Sequence, residues 1–375
     1  MSMVTLASSS SCTGCGICAA VCSKGCISMK VGYLGHLFPI INQKQCIECH
    51  LCERTCPALH PFSLNPIQSA YASWSKDEEE YRTSASGGIA AELSKHFIRT
   101  GGVVYGCAML PDVEVQHIRV DRIEDLEKLK SSKYVQSSIL QVIPSLKNDI
   151  AAGLKVLFIG TPCQVAAVKA LYKEQPESLY LVDLICHGVP SLKLLRTYVR
   201  KSNPDNSCSK VSFREGNHFA LQIWNKDEIK FSMPFRSSNY RGWYLDAFMD
   251  GYTYRDSCYD CPYACSNRVS DMTIGDFWGL GRLSSTEEIP EHPYGCSVVL
   301  PISEKGMRLL EEVRPAVEIY QRDKMEAIEG NTQLRHPKRI TKRIRVFRRV
   351  QRVVFWPELY KWVNVDKILR GHIAR

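Results

Sequence analysis

The sequence predicts a chain of combined α+β and α/β class: a small cysteine-rich module, then a mixed α/β domain on a largely parallel sheet, then a basic helical tail. Three observations lead there. Eight cysteines fall into two equal runs before residue 57. Apolar strands then alternate with amphipathic helices, the pattern of a parallel sheet covered by helices. Finally, charge is concentrated at the end. From Arg335 onward 13 Lys and Arg face 2 acidic residues, which exceeds the net charge of +9 of all 375 residues, so the remainder is weakly acidic.

The first cysteine run is Cys12, Cys15, Cys18 and Cys22; the second is Cys46, Cys49, Cys52 and Cys56, closed by Pro57. Both read C-x2-C-x2-C-x3-C, the spacing of bacterial ferredoxins. Thiolates so spaced on a tight turn grip adjacent corners of one 4Fe-4S cube, and the fourth cysteine of each run reaches the other cube. One cluster is therefore assigned to Cys12, Cys15, Cys18 and Cys56, and the other to Cys46, Cys49, Cys52 and Cys22. Zinc sites use C-x2-C pairs without a third cysteine two residues on. Disulfides belong to oxidising compartments and small secreted domains. The small residues Thr13, Gly14 and Gly16 suit amides packed against sulfide. The first run departs from the usual form in ending Cys22-Ser23 without proline, and Cys26 reads as a small buried residue. A cube holds one electron at a time, so the chain is read as a mover of electrons.

The length suits two or three domains, and an apolar fraction of 45% supplies a sizeable core. Seventeen cysteines in a long chain, many of them in cluster spacing, point to a reducing, cytoplasmic setting. The N-terminus does not read as a signal peptide, and the apolar runs are shorter than the roughly 18 residues of a spanning helix.

Residues 1–66 form the cluster module, with Gly32, Gly35, Phe38 and Pro39 in a hairpin between the runs and residues 58–66 as a linker. Residues 67–205 form the first part of the larger domain. There Ile89–Ile98, Ile123–Leu129, Ile139–Ala152, Gln164–Lys173 and Ser191–Lys201 read as helices. Val103–Gly106, Val156–Ile159 and Leu179–Ile185 read as strands. Thr161 caps a helix that starts with Pro162. In such sheets ligands bind at the carboxyl ends of strands, where the Cys163 and Cys186 turns lie. Residues 206–334 change texture: Val211–Phe213, Leu221–Trp224 and Glu228–Met233 read as antiparallel strands. Residues 335–375 form the tail, in which Ile340, Ile344, Phe347 and Val354 share a face among arginines. That segment either packs on the body or rests on an anionic membrane; no nucleic-acid module accompanies it.

Cys258, Cys261 and Cys265 supply three ligands of a third cube, and the fourth is either Cys163 or Cys186. Cys107, Cys208 and Cys296 are read as packing residues. The strand and aromatic turn Asp271–Gly279 either walls a planar cofactor or forms a core corner.

The segments Ser84–Gly88, Ser132–Ser137, Gly160–Gln164, Cys186–Pro190 and Gly275–Gly279, in that order, resemble the beta-subunit family of deazaflavin (coenzyme F-420) hydrogenases and dehydrogenases, with a ferredoxin module fused in front. The resemblance implies an oxidoreductase with a flavin, FAD or FMN, an additional 4Fe-4S cluster, and deazaflavin or another organic molecule as substrate. It implies that Ser84, Ser86, Gly87 and Gly88 receive the flavin phosphate or ribityl chain, as glycines before a helix N-terminus suit. Lys133, Tyr134, Gln136 and Ser137 would contact the flavin, Thr161 and Gln164 would bind cofactor, and His187 would donate a proton. Electrons would pass singly through the cubes to a partner protein or small redox molecule. The alternative is an electron-transfer subunit of a larger complex with no substrate of its own.

Overall fold

The two cysteine runs wrap the chain in the same way. In a computed structural model, which describes residues 4–203, 208–215, 218–236 and 240–364, backbone φ is positive at Gly14 and Gly16 in the first run. It is positive at the equivalent Glu48 and His50 in the second. Left-handed residues between right-handed ones turn successive amides inward, a concavity that suits an anion or an iron–sulfur cluster. Glycine adopts this conformation freely, whereas Glu48 and His50 each carry strain on the order of 1 kcal/mol. Short helices Ile17–Ala20 and Leu51–Arg54 follow. The runs are joined by an antiparallel hairpin of β1 (Ile27–Val31) and β2 (Leu37–Ile41), with Ile27 opposite Ile41 and Val31 opposite Leu37.

The main sheet has eight strands: β3 (Ala70–Ser75), β4 (Val103–Leu110), β5 (Glu114–Val120), β6 (Val156–Gly160), β7 (Leu179–Leu184), β11 (Met272–Asp276), β12 (Ser297–Pro301) and β13 (Val317–Arg322). Their spatial order is β13-β3-β12-β11-β7-β6-β4-β5. The four central strands, β11, β7, β6 and β4, pair in parallel. With β3, five of the eight run in one direction, and the flanking pairs are antiparallel. Connection length explains the difference. A short turn at Pro111–Val113 returns the chain from β4 to β5, whereas β6 reaches β7 by way of the helix Pro162–Lys169.

The central strands are apolar along their whole length because both faces are covered. On β6, Leu157 packs with Leu93, Phe97 and Leu309, while Val156 and Phe158 pack with Leu146, Val165 and Ala166. Ile123–Leu129 winds as a 3-10 helix, and Ile139–Ala152 divides into a 3-10 turn and the helix Ile143–Ala151.

A second sheet, β8 (Lys210–Glu215), β9 (His218–Asn225) and β10 (Glu228–Pro234), is an antiparallel meander. Its apolar face shares a core with Tyr198, Tyr244, Ile344 and Phe347. The basic C-terminal segment is therefore built into the body through residue 364, and residues 365–375 lie outside the described part. Helix Lys342–Val353 buries Ile344, Phe347 and Arg348. Ile340 and Val354 lie outside that helix and are exposed, so the apolar face expected from all four residues is split. Among the described residues, no helix is long and apolar enough to cross a membrane.

The cysteine-bearing loop after Tyr254 is anchored to the sheet by a buried ion pair. Arg268 donates to Asp183 Oδ1 on β7 at 2.8 Å, to Tyr263 O at 2.8 Å and to Thr273 Oγ1 at 3.1 Å. Arg268 is 2% and Asp183 0% exposed. Replacing Arg268→Met leaves that carboxylate buried without its cation, at a cost of about 3–5 kcal/mol. A marked fall in the denaturant midpoint of the variant is expected; an unchanged midpoint would show that the pair is not an anchor.

Candidate functional site

Seventeen free cysteines stand in the structure, and thirteen of them gather in three places. Burial pushes Cys18 up to about 12, and the neighbouring thiols of Cys15, Cys12 and Cys56 push it the same way. Those four share one neighbourhood. Cys22, Cys46, Cys49 and Cys52 line a second, small cavity, closed by Val4, Ile27 and Ile41. Cys26 lines it too, with its sulfur 3.3 Å from that of Cys22. In the third place Cys258 is pushed up by burial and by Cys186, Cys261 and Cys163. Cys163 and Cys186, which the sequence offered as alternatives, thus both face Cys258 and Cys261. Cys265 stands next to this group, its charge bearing on Cys261, and donates to Asn267 O at 3.2 Å and Pro262 O at 3.4 Å. Among the described residues no three His, Cys, Asp or Glu converge on one ion; a cube of iron and sulfide spaces its thiolates more widely than a single ion does.

The places lie in sequence. The charge of Cys163 bears on Cys15. Buried Tyr263 packs in one cluster with Cys15, Cys163 and Cys261, and the thiols of Cys163, Cys261, Cys15 and Cys56 all bear on it. The Cys12 group therefore lies next to the Cys258 group, with Tyr263 adjoining both.

Beyond the Cys258 group, at the carboxyl ends of β6 and β7, opens a cavity of about 450 Å³ whose wall includes Cys163 and Cys186. That volume suits a cofactor-sized molecule. Ser84, Ser86, Gly88, Lys133, Tyr134 and Gln136 line it, and so do Ser137, Thr161, Gln164 and His187. Gly87 does not. A Cβ there would stand 2.3 Å from Ser73 O, and its amide donates to Ser297 Oγ at 3.0 Å, so it seats the turn against β3 and β12. Cys107, expected to be a packing residue, also reaches the wall.

Each wall residue has a local reason for its position. Gly88, at φ 84°, starts helix Ile89–Arg99 with no side-chain cap, which leaves the amides of Ile89 and Ala90 open. Buried Ser86 Oγ has no partner in the structure. Gln164 accepts from Thr161 N at 3.1 Å and donates to Ser137 O at 3.0 Å and Ser137 Oγ at 2.9 Å, so it braces two wall segments against each other. Lys133 donates to Leu129 O at 2.8 Å and Lys130 O at 2.6 Å, and burial lowers its ammonium to about 8. Tyr134 stacks on Phe248 at 4.9 Å and on Phe219 at 6.1 Å, and Phe219 stacks on half-exposed Trp278 at the rim. His187 accepts at Nδ1 from Gln333 Nε2 at 2.8 Å, and burial holds it below the usual imidazole range. Gln136 turns partly away and donates to Thr13 O at 2.9 Å, linking the cavity wall to the cysteine module.

The sequence reading missed Phe219, Phe248, His117 and Arg255. Only the alternation of β5 hinted at His117. Its Nε2 donates to Ile159 O at 2.9 Å, its Nδ1 faces Ser137 Oγ at 3.3 Å, and its ring stacks on Phe158 at 5.0 Å. Burial pushes it down to about 4, so it is neutral in the fold. The unfolded chain binds this proton near pH 6.5, so stability falls as pH drops from about 6.5 to about 4. His117→Asn is expected to reduce that loss in a series of thermal melts across pH; an unchanged pH dependence would contradict the assignment.

Residues 153–326 match the family described as the C terminus of the beta subunit of coenzyme F420 hydrogenase/dehydrogenase. The F subunit of the F(420)H(2) dehydrogenase of Methanosarcina mazei is 22% identical over 245 residues, or 60% of this chain and 67% of that protein. A chain of the F420-reducing NiFe hydrogenase complex of Methanosarcina barkeri superposes with a TM-score of 0.47 and 18% identity, over 77% of this chain and 90% of that one. The matched span holds Cys163, Cys186 and the cysteine loop, together with the Gly275–Gly279 turn on the cavity side. Residues 153–326 thus carry the C-terminal domain of the coenzyme F420 hydrogenase/dehydrogenase beta-subunit family.

Proposed function

We propose that the chain is an iron–sulfur flavoprotein that moves electrons between a flavin-linked organic substrate and a partner protein. One observation carries this reading: Cys163 and Cys186 belong both to the third thiol group and to the wall of the large cavity. Substrate chemistry and single-electron transport then share a boundary one residue thick.

The residues fit the groups that the family implies. Cys12, Cys15, Cys18 and Cys56 would hold the inner cube of the module, and Cys22, Cys46, Cys49 and Cys52 the outer one. Cys163, Cys186, Cys258 and Cys261 would hold the third, in place of Cys265. At the cavity, unpartnered Ser86 Oγ and the open amides of Ile89 and Ala90 suit a phosphate. A bound flavin supplies the conversion between paired and single electrons, and the cubes carry them singly. The chain's own part is placement. Lys133 sets a positive charge at the wall. Gln333 fixes His187 Nδ1 as an acceptor, which leaves the Nε2 proton for exchange at the cavity. The stack from Tyr134 to Trp278 offers flat surfaces to planar rings and keeps water from them. Deazaflavin is the substrate class that the family name suggests.

A partner is favoured at the far end. Cys49 is exposed, and exposed Ile47 and Leu51 flank it, at 57% and 38%. The relative from Methanosarcina mazei is itself one subunit of a dehydrogenase, so docking onto a larger enzyme is consistent with this surface.

Anaerobically prepared protein is expected to contain flavin and to couple oxidation of reduced deazaflavin to reduction of a one-electron dye. Cys258→Ala should retain flavin and flavin reduction but lose most of the dye reduction, read by stopped-flow absorbance. Wild-type protein without flavin, or a variant that reduces dye at the wild-type rate, would contradict the proposal. Ser86→Asp places a negative charge at the phosphate turn, and flavin content per chain is expected to fall sharply with iron content unchanged. Full flavin occupancy in that variant would move the phosphate elsewhere.

A further inference from the structure

Arg255 is 1% exposed and comes from the body, three residues before Cys258, yet its side chain reaches into the cysteine module. Its Nε donates to Cys12 O at 2.6 Å and its Nη2 to Leu37 O at 2.8 Å. Nη2 also points at Cys12 Sγ at 3.6 Å, and Nη1 lies 3.5 Å from Gln136 Oε1. The guanidinium stands 4.2 Å from the centre of the Phe38 ring. A Cβ on Gly14 would come within 2.5 Å of Nη1, so glycine at this position also makes room for the guanidinium.

Every partner of this cation is neutral. Among the described residues no carboxylate lies within ion-pair distance of it, whereas buried Arg268 and Arg322 each have one. An unpaired buried charge is strongly unfavourable, and a cation–π contact offsets only part of that cost. The position lacks an anion, and the nearest sulfur is one that the reading above gives to iron. A four-thiolate cube is net negative and becomes more so when it gains an electron.

Resting on that reading, we propose that Arg255 is the built-in counter-ion of the inner cube of the module. It is a positioning residue that raises that cube's reduction potential and holds the module against the Cys258 loop. A fixed cation beside the inner cube makes that cube, rather than the outer one, the favoured resting place of an electron within the module. Gln136, which shares Arg255 and Thr13 as partners, ties the same charge to the cavity wall.

The test is an EPR-monitored redox titration of full-length, anaerobically prepared wild-type, Arg255→Met and Arg255→Lys proteins, with iron counted in each. Arg255→Met is expected to lower the midpoint of one cluster by about tenfold in its reduction equilibrium, which is about 59 mV for one electron. The third cluster, which the same charge reaches through Cys163, should move less, the outer cluster should stay put, and Arg255→Lys should restore most of the loss. Loss of one cluster in the Met variant but not in the Lys variant would equally mark a need for the charge. Full iron with unmoved midpoints in Arg255→Met would overturn the proposal, and so would equal cluster loss in both variants, which would make the residue structural. Wild-type protein without iron would instead defeat the cluster assignment itself.

Discussion

Sulfur buried out of water is the constraint on which the rest of this molecule depends. A thiol in such surroundings keeps its proton, as the upward push on Cys15, Cys18, Cys186 and Cys258 shows. Its role as a ligand requires that metal binding displace the proton and that local dipoles and cations support the resulting charge. The chain offers both kinds of support. Left-handed turns at Gly14, Gly16, Glu48 and His50 aim amides inward, and Arg255 brings a full positive charge beside Cys12.

The sheet converts that local chemistry into a path. Its parallel centre places the Cys163 and Cys186 turns side by side at one edge. Arg268 then pins the Cys258 loop to the same edge through Asp183. The cysteine module docks where these meet, held by Gln136 on Thr13, Ser191 on Leu34 and Tyr33 on Arg348. The last contact explains why the basic C-terminal segment is part of the body: helix Lys342–Val353 supports both the module and the Cys258 loop, with Arg348 bonded to Tyr254 O at 2.8 Å.

Much of this was legible in the sequence because it is local. Cysteine spacing encodes the turns of the two runs, and strand–turn–helix alternation encodes the parallel centre. The antiparallel flank of β12 and β13 was not legible, because its partner β3 lies more than two hundred residues away. The same holds for the approach of both Cys163 and Cys186, offered as alternatives, to the Cys258 loop. The spacing gives Cys258, Cys261 and Cys265 locally, and only the tertiary fold brings the two strand-end thiols to that loop. Arg255 looked like any arginine in a polar loop until its guanidinium was found beneath another part of the chain.

The proposed path turns on adjacency: the inner cube of the module and the third cube would stand beside each other, where Tyr263 adjoins both thiol groups. Low-temperature EPR of fully reduced, iron-replete protein measures this most directly. Magnetically coupled spins, broadened or split relative to isolated clusters, are expected, and Cys258→Ala should remove the part due to the third cluster and leave only the coupling between the two cubes of the module. Sharp, independent signals from a preparation holding all three clusters would contradict the account.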